Sequence, residues 1–333
     1  MIGLAIFGAG RIGHVHAQNI LNNPRARLAY VYDPVPRNAE SLAALTGARV
    51  SSIEAILSAS EVEGVLVTSP ATNHATQLVA AARAGKAVLC EKPLSLELAE
   101  AKVVLESLSA LGSRCMMGFH RRYDAQFRAA RDAIEHGDVG RVFQMTISSR
   151  SAAIPDRAYL STSGGLFRDQ SIHDFDIARF LLGEEFKNVY AIGGCLIDAE
   201  VEAAGDIDTA MITMVSASGC QVHINNGRYC PSGYDQRVEI MGTLRSIAIE
   251  NIRQSASVRS DASGSSLAAP VPSFIERYAA AYRAELATLL DFIEGRNPSI
   301  ADQSDGYQAQ RLAEAAYQSL RAGAPVSLHV APP

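Results

Sequence analysis

The stretch "LAIFGAGRIG", residues 4–13, decides the fold class of this chain. A short apolar run leads directly into Gly8, Gly10 and Gly13, and a helical pattern begins near residue 12. Asp33 ends the next apolar run, 20 residues after Gly13. A strand, a glycine turn, a helix and an acid at this distance are the parts of a dinucleotide-binding site. The stretch therefore predicts a Rossmann-type, doubly wound parallel sheet.

Residues 1–120 repeat the same alternation of short apolar runs and amphipathic stretches, which predicts βαβ units. Predicted strands are 4–7, 28–32, 64–68, 87–89 and 115–117, and predicted helices lie near 12–22, 36–46, 53–59, 73–84 and 95–110. We expect these residues to form a cofactor-binding domain.

Residues 121–333 follow a different pattern, in which several strands succeed one another without helices between them. Helices are predicted near 123–136, 165–182, 275–294 and 303–322, strands near 141–150, 186–196, 207–216, 219–228, 236–241 and 244–250, and a flexible loop at 260–273. Alternating character in these strands is typical of antiparallel pairing. The pattern predicts an α+β domain with a mainly antiparallel open sheet, which binds substrate and carries subunit contacts.

The bulk composition narrows the class of protein. A length of 333 residues predicts two domains, and 48% hydrophobic with 20% charged residues is ordinary for a soluble protein. A net charge of −5 favours neither nucleic acid nor anionic membranes as partners. The five cysteines show no CxxC spacing, and the N-terminus lacks the basic region of a signal peptide. These features predict a cytoplasmic protein with reduced cysteines.

The glycine turn and Asp33 predict how the cofactor is bound. The backbone of the turn would approach the pyrophosphate, and the Asp33 carboxylate would accept bonds from ribose hydroxyls. An acid at that position repels a 2′-phosphate, so NAD is favoured over NADP, although Arg37 lies near enough to soften the preference. Two alternatives stay open: a cofactor-free turn in which Asp33 caps a helix, and a methyltransferase that binds an adenosyl cofactor.

"CEKPLS", residues 90–95, follows the fifth predicted strand. Lys92 therefore stands at the carboxyl edge of a parallel sheet, where ligands bind in open α/β folds. A lysine in this position can stabilise a developing alkoxide by charge and hydrogen bonding. A lysine on a surface loop without a function is the alternative.

"GLFRDQSIHDFD", residues 165–176, puts acids and a histidine beside an apolar helix. At helical spacing Asp169, His173, Asp176 and Phe180 share one stripe. Histidine is the side chain suited to accept a proton near neutral pH, and Asp169 can orient its imidazole. Asp176 joins this network or pairs with Arg179 or the backbone. The alternative is a helix N-terminus enriched in acids for its dipole.

Three further residues are predicted to face solvent. Asp174 points away from the stripe on the same helix, and His14 and His16 fall in the first helix of the chain. No metal is required by the predicted chemistry, because lysine and histidine supply charge stabilisation and proton transfer.

The motifs "GAGRIG", "TSPATNHA", "CEKPLS" and "GGLFRDQSIHDFDIARFLLG" resemble those of the Gfo/Idh/MocA oxidoreductases in order and spacing, over essentially the whole chain. The resemblance implies NAD(P)-dependent oxidation of a CH–OH group, with Lys92, Asp169 and His173 as the catalytic set. It also implies a homo-oligomer, a dimer or a tetramer, formed through the second domain's sheet. Cofactor contacts are implied at Gly8, Ala9, Gly10, Arg11, Ile12, Gly13, Asp33, Ser69, Pro70, Asn73, His74, Glu91 and Lys92. For His74, a packed residue without a function is the alternative.

A narrower resemblance, to bacterial inositol 2-dehydrogenases, rests on "GFHRRYD" (118–124), "GYDQRVEIMG" (233–242) and "RYAAAYRAEL" (277–286). It implies NAD-dependent oxidation of myo-inositol to 2-keto-myo-inositol. Two departures concern the substrate: His120 stands where those enzymes typically have Asn, and "SRSAAIPDRAYL" replaces a proline-rich segment. Substrate contacts are predicted at Lys92, His120, Arg150, Asp169, His173, Tyr234 and Tyr282.

Several other functions stay open at the level of the sequence. The same reaction on another inositol isomer, a pyranose sugar or a sugar acid keeps all the motifs. A non-catalytic NAD-binding regulator keeps the fold, but it has no need of Lys92, Asp169 and His173 together.

Overall fold

The apolar run that precedes the glycine turn forms a strand in which every residue is buried, Ile2–Phe7. A strand buried on both faces belongs inside a parallel sheet that helices cover. The computed structural model describes residues 1–296 and 301–329. The chain folds into two compact units, the first made of Met1–Tyr123 and Ala280–Gln310, and the second of Asp124–Ala279 and the residues from Arg311 onward.

The first unit follows the predicted βαβ alternation. Its elements up to residue 123 are β1 (Ile2–Phe7), α1 (Arg11–Leu21), β2 (Ala26–Tyr32), α2 (Pro36–Thr46), β3 (Arg49–Val50), α3 (Ile53–Ser58), β4 (Gly64–Val67), α4 (His74–Arg83), β5 (Ala87–Glu91), α5 (Leu98–Ala110) and β6 (Met116–Gly118). Short 3₁₀ turns precede α4 at Ala71–Asn73 and follow β6 at His120–Tyr123.

The strands of this unit form a parallel sheet in the order β3-β2-β1-β4-β5-β6. The chain runs outward from β1 in one direction through β2 and then in the other through β4. Ligands of open α/β sheets bind at this reversal, beyond the carboxyl ends of the strands. The predicted Rossmann-type sheet is confirmed. A ligand is therefore expected at the loops after β1, β4 and β5.

The second unit contains α6 (Ala125–Glu135), β7 (Val142–Arg150), α7 (Arg157–Leu160), α8 (Ile172–Leu182), β8 (Phe186–Gly194), α9 (Ala199–Ala203), β9 (Thr209–Ser216), β10 (Gln221–Gly227), β11 (Asp235–Gly242), β12 (Ser246–Ile249), β13 (Val258–Asp261), β14 (Gly264–Leu267) and α10 (Phe274–Arg277). The chain then returns to the first unit with α11 (Ala279–Ile293). The remaining elements are α12 (Gln303–Ala322), which begins in the first unit and ends in the second, and β15 (Val326–Ser327).

The sequence predicts a single domain boundary at residue 120. It does not predict that Ala280–Gln310 return to the first unit. Ile293 of α11 lies where a side chain on Gly64 would stand, since a Cβ built there comes within 2.8 Å of the Ile293 Cδ1. The Met117 amide donates to the Ala301 carbonyl at 2.7 Å. This segment thus contacts β6, the edge strand of the first sheet.

The sheet of the second unit has the order β12-β11-β7-β10-β9-β8-β15. Its pairs are antiparallel except β7 with β10, which run parallel. Buried and accessible residues alternate along β9, as expected when one face of a sheet packs on a core. Helix α8 packs against β7 and α6. The predicted α+β fold with a mainly antiparallel sheet is confirmed.

Two local predictions need correction. The segment predicted as a flexible loop at 260–273 includes part of a fully exposed hairpin, β13 with β14, closed by a turn at 262–263 and followed by Gly264 with φ +140°. Its polar side chains carry no period-two apolar signal, so the backbone pairing was not visible in the sequence. The helix predicted at 165–182 begins instead as a π-helical turn, Phe167–Ser171, before α8.

None of the described helices combines the length and the apolar character that crossing a bilayer requires.

Candidate active site

The glycine turn after β1 is closed by contacts that exclude larger residues. Gly8 has φ +105°, and a Cβ built on it would come within 2.4 Å of the Ser69 amide nitrogen. A Cβ on Gly13 would come within 2.2 Å of the Gly8 carbonyl oxygen, which also accepts from the Thr68 hydroxyl at 2.7 Å. Only glycine fits at both positions, so the turn brings the ends of β1 and β4 together.

Gly10 differs, because no heavy atom lies within 4 Å of the position its Cβ would take. It stands at the N-cap of α1, and no side chain bonds the first amides of that helix. An open backbone at the N-terminus of an 11-residue helix is what a pyrophosphate needs, since the amides and the helix dipole both attract it. The predicted contacts Ala9, Arg11 and Ile12 belong to the same turn. The turn therefore fits a dinucleotide.

Asp33 follows β2 and is fixed on the glycine turn. Its Oδ2 accepts from the Ala9 amide at 2.7 Å, and its Oδ1 accepts from the Val35 amide at 2.9 Å. Val35, not Asp33, occupies the N-cap of α2. The alternative in which Asp33 caps a helix is therefore wrong. The half-buried carboxylate keeps accessible surface beside the turn.

The loop after β4 holds Ser69, Pro70, Asn73 and His74. His74 is 1% exposed, and its ring nitrogens lie 2.7 Å from the Pro93 carbonyl (Nδ1) and 2.8 Å from the Ser69 carbonyl (Nε2). Burial lowers the pKa of His74, whereas the bonds to both carbonyls raise it and so oppose part of that shift. The imidazole joins the loop after β4 to the loop after β5, and it thereby holds Pro93 beside Ser69.

Strand β5 ends at Glu91, and the half-buried Lys92 follows with a cis peptide to Pro93. Glu91 is buried, and its Oε1 lies 3.0 Å from the Nε2 of His16. Lys92 thus begins at the carboxyl edge of the sheet, as predicted, from a strand end that is fixed by buried polar contacts.

His16 was predicted to face solvent, and that prediction is wrong because the side chain is fully buried. Gly13, His16, Ala17 and Ile20 form the buried face of α1, at the spacing of one helical stripe. His16 also contacts the ring of Tyr282 edge to face, with centroids 5.6 Å apart. The apolar periodicity of α1 was the signal that would have placed it inside.

Glu285 of α11 completes a buried cluster with His16 and Glu91, whose ligand-type atoms lie within 4.8 Å of one another. Glu285 is fully buried, and neither of its oxygens has a hydrogen-bond partner among residues 1–296 and 301–329. Burial raises the pKa of Glu285 well above its ordinary value, and the nearby charge of Glu91 adds to the shift. The fold therefore favours the protonated form of Glu285 more than water does.

His120 and Tyr282, two predicted substrate residues, stack on each other in the first unit. Their ring centroids are 4.6 Å apart and the rings are inclined by 20°. Both side chains are buried, at 4% and 2% exposure. His120 therefore forms an aromatic pair with Tyr282, which an Asn at this position would not form.

In the second unit, the acid and the histidine of the predicted catalytic helix lie on either side of a change in helix type. Asp169 belongs to the π-helical turn Phe167–Ser171, and His173 to the first turn of α8. Both are half-buried. A π turn widens the angle between successive residues and is frequent at functional sites. The single stripe predicted from a regular helix therefore does not extend unchanged through Asp169.

Asp169 is held by residues that were not singled out in the sequence. The Tyr159 hydroxyl donates to its Oδ1 at 2.7 Å, and the Arg228 Nη1 donates to its Oδ2 at 3.3 Å. Arg228 also donates from Nε and Nη2 to the Oδ2 of Asp206, at 2.9 and 2.7 Å. These partners come from α7 and from the residues after β10, so no spacing within one motif could have revealed them.

Asp174 was expected to face solvent, but it is fully buried and accepts from the Asn226 Nδ2 at 2.7 Å. The prediction was wrong because α8 is covered on nearly all sides, so a residue off the stripe still packs against β10. Asp176 is 1% exposed and lies 4.0 Å from the Nη1 of Arg179, at the limit of an ion pair. Arg179 has a closer partner in Glu185, at 2.9 Å.

The remaining predicted substrate residues are Arg150 and Tyr234. Arg150 ends β7 and donates from Nε to the Oδ1 of Asn225 at 3.2 Å, and it also pairs with Asp235. Tyr234 contacts Tyr278 edge to face, with ring centroids 6.5 Å apart. Arg150 is thus oriented by two polar partners. Tyr234 is half-buried, and its ring contacts that of Tyr278.

Comparisons with known proteins agree with this architecture. A family model described as "Oxidoreductase family, NAD-binding Rossmann fold" matches residues 2–119, and "Oxidoreductase family, C-terminal alpha/beta domain" matches residues 131–328. An inositol 2-dehydrogenase of Rhizobium meliloti (strain 1021) is 39% identical over 319 residues, which cover 96% of this chain and 97% of that protein.

Solved structures are similar over nearly their whole length. A putative myo-inositol dehydrogenase from Sinorhizobium meliloti 1021 has a TM-score of 0.95 and 38% identity, covering 99% of this chain and 100% of that one. A scyllo-inositol dehydrogenase from Lactobacillus casei, solved with bound NAD(H) and scyllo-inositol, has a TM-score of 0.88 and 26% identity, covering 98% and 99%.

Proposed function

The chain belongs to the Gfo/Idh/MocA oxidoreductase family, and from that premise we propose that it oxidises a secondary hydroxyl of an inositol with NAD. The preferred substrate is myo-inositol, and the product is 2-keto-myo-inositol. The observation that carries the proposal is the combination of the open glycine turn, Lys92 at the end of β5 and the Asp169–His173 pair in a chain 39% identical to an inositol 2-dehydrogenase.

The residues of the first unit fit NAD as the cofactor. The amides of Gly8–Gly13 would hold its pyrophosphate, and Asp33 would accept bonds from the adenosine ribose, which favours NAD over NADP. Ser69, Pro70, Asn73, His74, Glu91 and Lys92 are proposed to line the nicotinamide end of the site. NAD, when bound, supplies the hydride acceptor.

The chain's own residues then move a proton and stabilise charge. We assign His173 as the base that takes the hydroxyl proton, because histidine is the side chain whose ordinary pKa lies near neutral pH. Asp169 orients that imidazole and stabilises its protonated form. Lys92 stabilises the developing alkoxide with its ammonium group.

Recognition of a polyol requires several fixed hydrogen-bonding groups, because a site built around hydroxyls rejects analogues that lack them. The proposed contacts are Lys92, His120, Arg150, Asp169, His173, Tyr234 and Tyr282. Arg150 and the stacked pair of His120 with Tyr282 are already fixed by neighbours. His120 in place of Asn favours a selectivity among inositol isomers that differs from that of the relatives.

Two alternatives are weighed against this proposal. Another inositol isomer, a pyranose sugar or a sugar acid would use the same reaction, and the scyllo-inositol bound in the Lactobacillus casei structure favours the first of these. A non-catalytic NAD-binding regulator would not need a lysine, an acid and a histidine together.

The test is the initial rate of NADH formation, followed at 340 nm, over a panel of inositol isomers, pyranose sugars and sugar acids. We expect the highest kcat/KM for an inositol, and His173→Ala should lower kcat by about a hundredfold or more while NAD affinity stays nearly unchanged. A pyranose that exceeds every inositol by about tenfold would remove the substrate assignment. Full activity of the His173→Ala variant would remove the assigned base.

The domain roles and the location of the protein complete the proposal. Residues 1–120 would supply the cofactor domain and residues 121–333 the substrate and oligomerisation domain, with Ala280–Gln310 folded into the first unit. The cysteines Cys90, Cys115, Cys195, Cys220 and Cys230 are free thiols, which favours the cytoplasm.

We propose a homo-oligomer, a dimer or tetramer, formed through the accessible face of the second sheet. Tyr190, Ile192 and Met211 are 39%, 49% and 45% exposed on that face, and Ile192 pairs with Met211 across β8 and β9. A cluster of exposed apolar side chains on a sheet face is typical of a subunit interface. Two copies related by a two-fold axis would cover it.

A further inference from the structure

We propose that Tyr159 and Arg228 are positioning residues for the reaction, which fix both oxygens of Asp169 and limit its negative potential at the proton acceptor. The inference rests on the proposed function, in which Asp169 orients His173. Neither Tyr159 nor Arg228 belongs to the predicted catalytic or substrate-binding set.

The first observation is that the two donors divide the carboxylate between them. The Tyr159 hydroxyl donates to Oδ1 and the Arg228 guanidinium to Oδ2, at 2.7 and 3.3 Å. A carboxylate bonded at each oxygen by a separate residue cannot rotate without losing one of the bonds. Asp169 therefore presents a fixed orientation, although it lies in a π-helical turn.

The second observation concerns how Arg228 is anchored. Its side chain is 1% exposed, and its Nε and Nη2 both donate to the Oδ2 of Asp206. The other oxygen of Asp206 accepts from the Leu166 amide at 2.8 Å, immediately before the π-helical turn. Asp206 thus holds one edge of the guanidinium, and the Nη1 is directed at Asp169.

The charges show why Asp169 needs more than one donor. One buried cation lies between the carboxylates of Asp169 and Asp206, so Arg228 is shared and cannot neutralise both. Tyr159 supplies a neutral hydrogen bond to Asp169 from the exposed helix α7. Since Tyr159 is 46% exposed, its ring adds little to the core.

Other ionisable groups surround this network. Arg168 of the π-helical turn donates to Glu314 at 2.7 Å, on α12. Tyr317 of α12 donates to the Gly164 carbonyl, and burial raises its pKa to about 12, so it stays neutral near pH 7. On α8 the buried acids Asp174 and Asp176 and the cation of Arg179 stay unchanged in the variants described below. Tyr159→Phe therefore removes a donor to Asp169 without changing a charged side chain of this network, whereas a change at Arg228 also removes the donors to Asp206.

The direction of the effect follows from electrostatics. A carboxylate that loses a donor carries its negative charge with less compensation, so a neighbouring imidazolium is stabilised. The base then stays protonated to a higher pH. The acidic limb of the kcat/KM profile, which reports the free base, should move to higher pH in both variants.

The experiment compares the pH profiles of the full-length parent, Tyr159→Phe, Arg228→Met and Arg228→Lys, with the inositol that the parent prefers. We expect Tyr159→Phe to move the acidic limb upward by about half a pH unit and to lower kcat/KM by about threefold to tenfold. Arg228→Met should move it in the same direction and further. Arg228→Lys, which keeps the charge but not the fork, should restore part of the shift.

Arg157→Ala is the matched control, because Arg157 lies on the same helix as Tyr159 and makes only an exposed ion pair with Glu200. Its profile should coincide with that of the parent. If Arg228→Met does not fold, Tyr159→Phe decides alone. An acidic limb that stays in place in Tyr159→Phe, with or without a loss of kcat, would overturn the proposal.

A second readout separates this inference from the proposed function. The titration of the His173 imidazole can be followed by NMR in histidine-labelled protein, with the signal assigned by its absence in His173→Gln. Absence of NADH formation from every inositol would refute the proposed function and leave this titration valid. An unchanged His173 midpoint in Tyr159→Phe would refute the positioning role independently.

Discussion

At the scale of single residues, burial changes the ionisation equilibrium of Glu285. It is fully buried beside Glu91 and His16, and its oxygens have no hydrogen-bond partner. An ionised carboxylate in such a place would cost several kcal/mol, and protonation removes that cost. Folding therefore favours the protonated form of Glu285 over the ionised form.

This proton makes the free energy of unfolding depend on pH. Because the pKa of Glu285 is raised in the folded state, its destabilising contribution is absent below the ordinary pKa of Glu and grows as pH rises above it. Glu285→Gln keeps the shape and cannot ionise. Its stability relative to the parent should therefore increase with pH, by up to about 1.4 kcal/mol for each pH unit.

Urea unfolding of the parent and of Glu285→Gln at pH 5, 6, 7 and 8 measures this difference. Glu54→Gln, an exposed acid on α3, is the control and should show no such trend. If the cluster of His16, Glu91 and Glu285 instead held a divalent cation, the Gln variant would be less stable at every pH, and a chelator would destabilise the parent. That result would contradict the prediction.

At the scale of elements, polar contacts hold α8 in place. They lie on a face of the helix that the spacing of its sequence does not predict to be buried. Asn226 of β10 donates to Asp174 at 2.7 Å and accepts from the Ser171 hydroxyl at 2.5 Å. These bonds fix the junction between the π-helical turn and α8, where His173 lies. The orientation of the proposed base thus depends on a residue of the sheet.

Asp174→Ala should lower the free energy of unfolding by about 1.5 to 3 kcal/mol, because it removes the shorter of two bonds that the buried Asn226 amide donates, a bond to a charged group, and leaves the 3.3 Å bond to the Ser149 carbonyl. Chemical denaturation checks the change. Asp138→Ala, at an exposed acid after α6, is the control and should change stability by less than about 0.5 kcal/mol. A loss no larger than that of the control would show that the buried bond contributes nothing to the junction.

At the scale of the whole molecule, the accessible face of the second sheet is the proposed subunit interface. Its exposed residues Tyr190, Ile192 and Met211 lie on adjacent strands, and the opposite face of β8 and β9 packs on the core. Such a face is a liability in a monomer, since it can associate without specificity. Association of a defined number of copies would cover these apolar side chains.

Met211→Lys should dissociate the proposed oligomer toward a monomer of 35.5 kDa, because a charge would be buried in an apolar interface. Sedimentation velocity over a range of concentrations measures the change. Leu244→Lys is the control, since Leu244 is 72% exposed in the turn between β11 and β12. A parent that sediments as a monomer at all concentrations, or a Met211→Lys protein with the parent's mass, would contradict the interface.

The sequence by itself determined the fold class and the chemistry. Glycine at positions 8 and 13 is required by contacts as short as 2.2 Å, and a requirement of that kind is visible as a motif because it restricts the residue type. Lys92, Asp169 and His173 are likewise visible because the proposed reaction needs their functional groups. Burial along β1 followed from its continuous apolar run.

Only the tertiary structure decided which residues contact and orient these side chains. Tyr159, Arg228 and the Asp206 that anchors Arg228 come from separate segments, so the network around Asp169 leaves no local pattern. The π-helical turn at Phe167–Ser171 and the burial of Asp174 and His16 depend on what packs around each helix. Local spacing specifies a residue's own element, whereas partners brought together by folding are set by the packing of the whole chain.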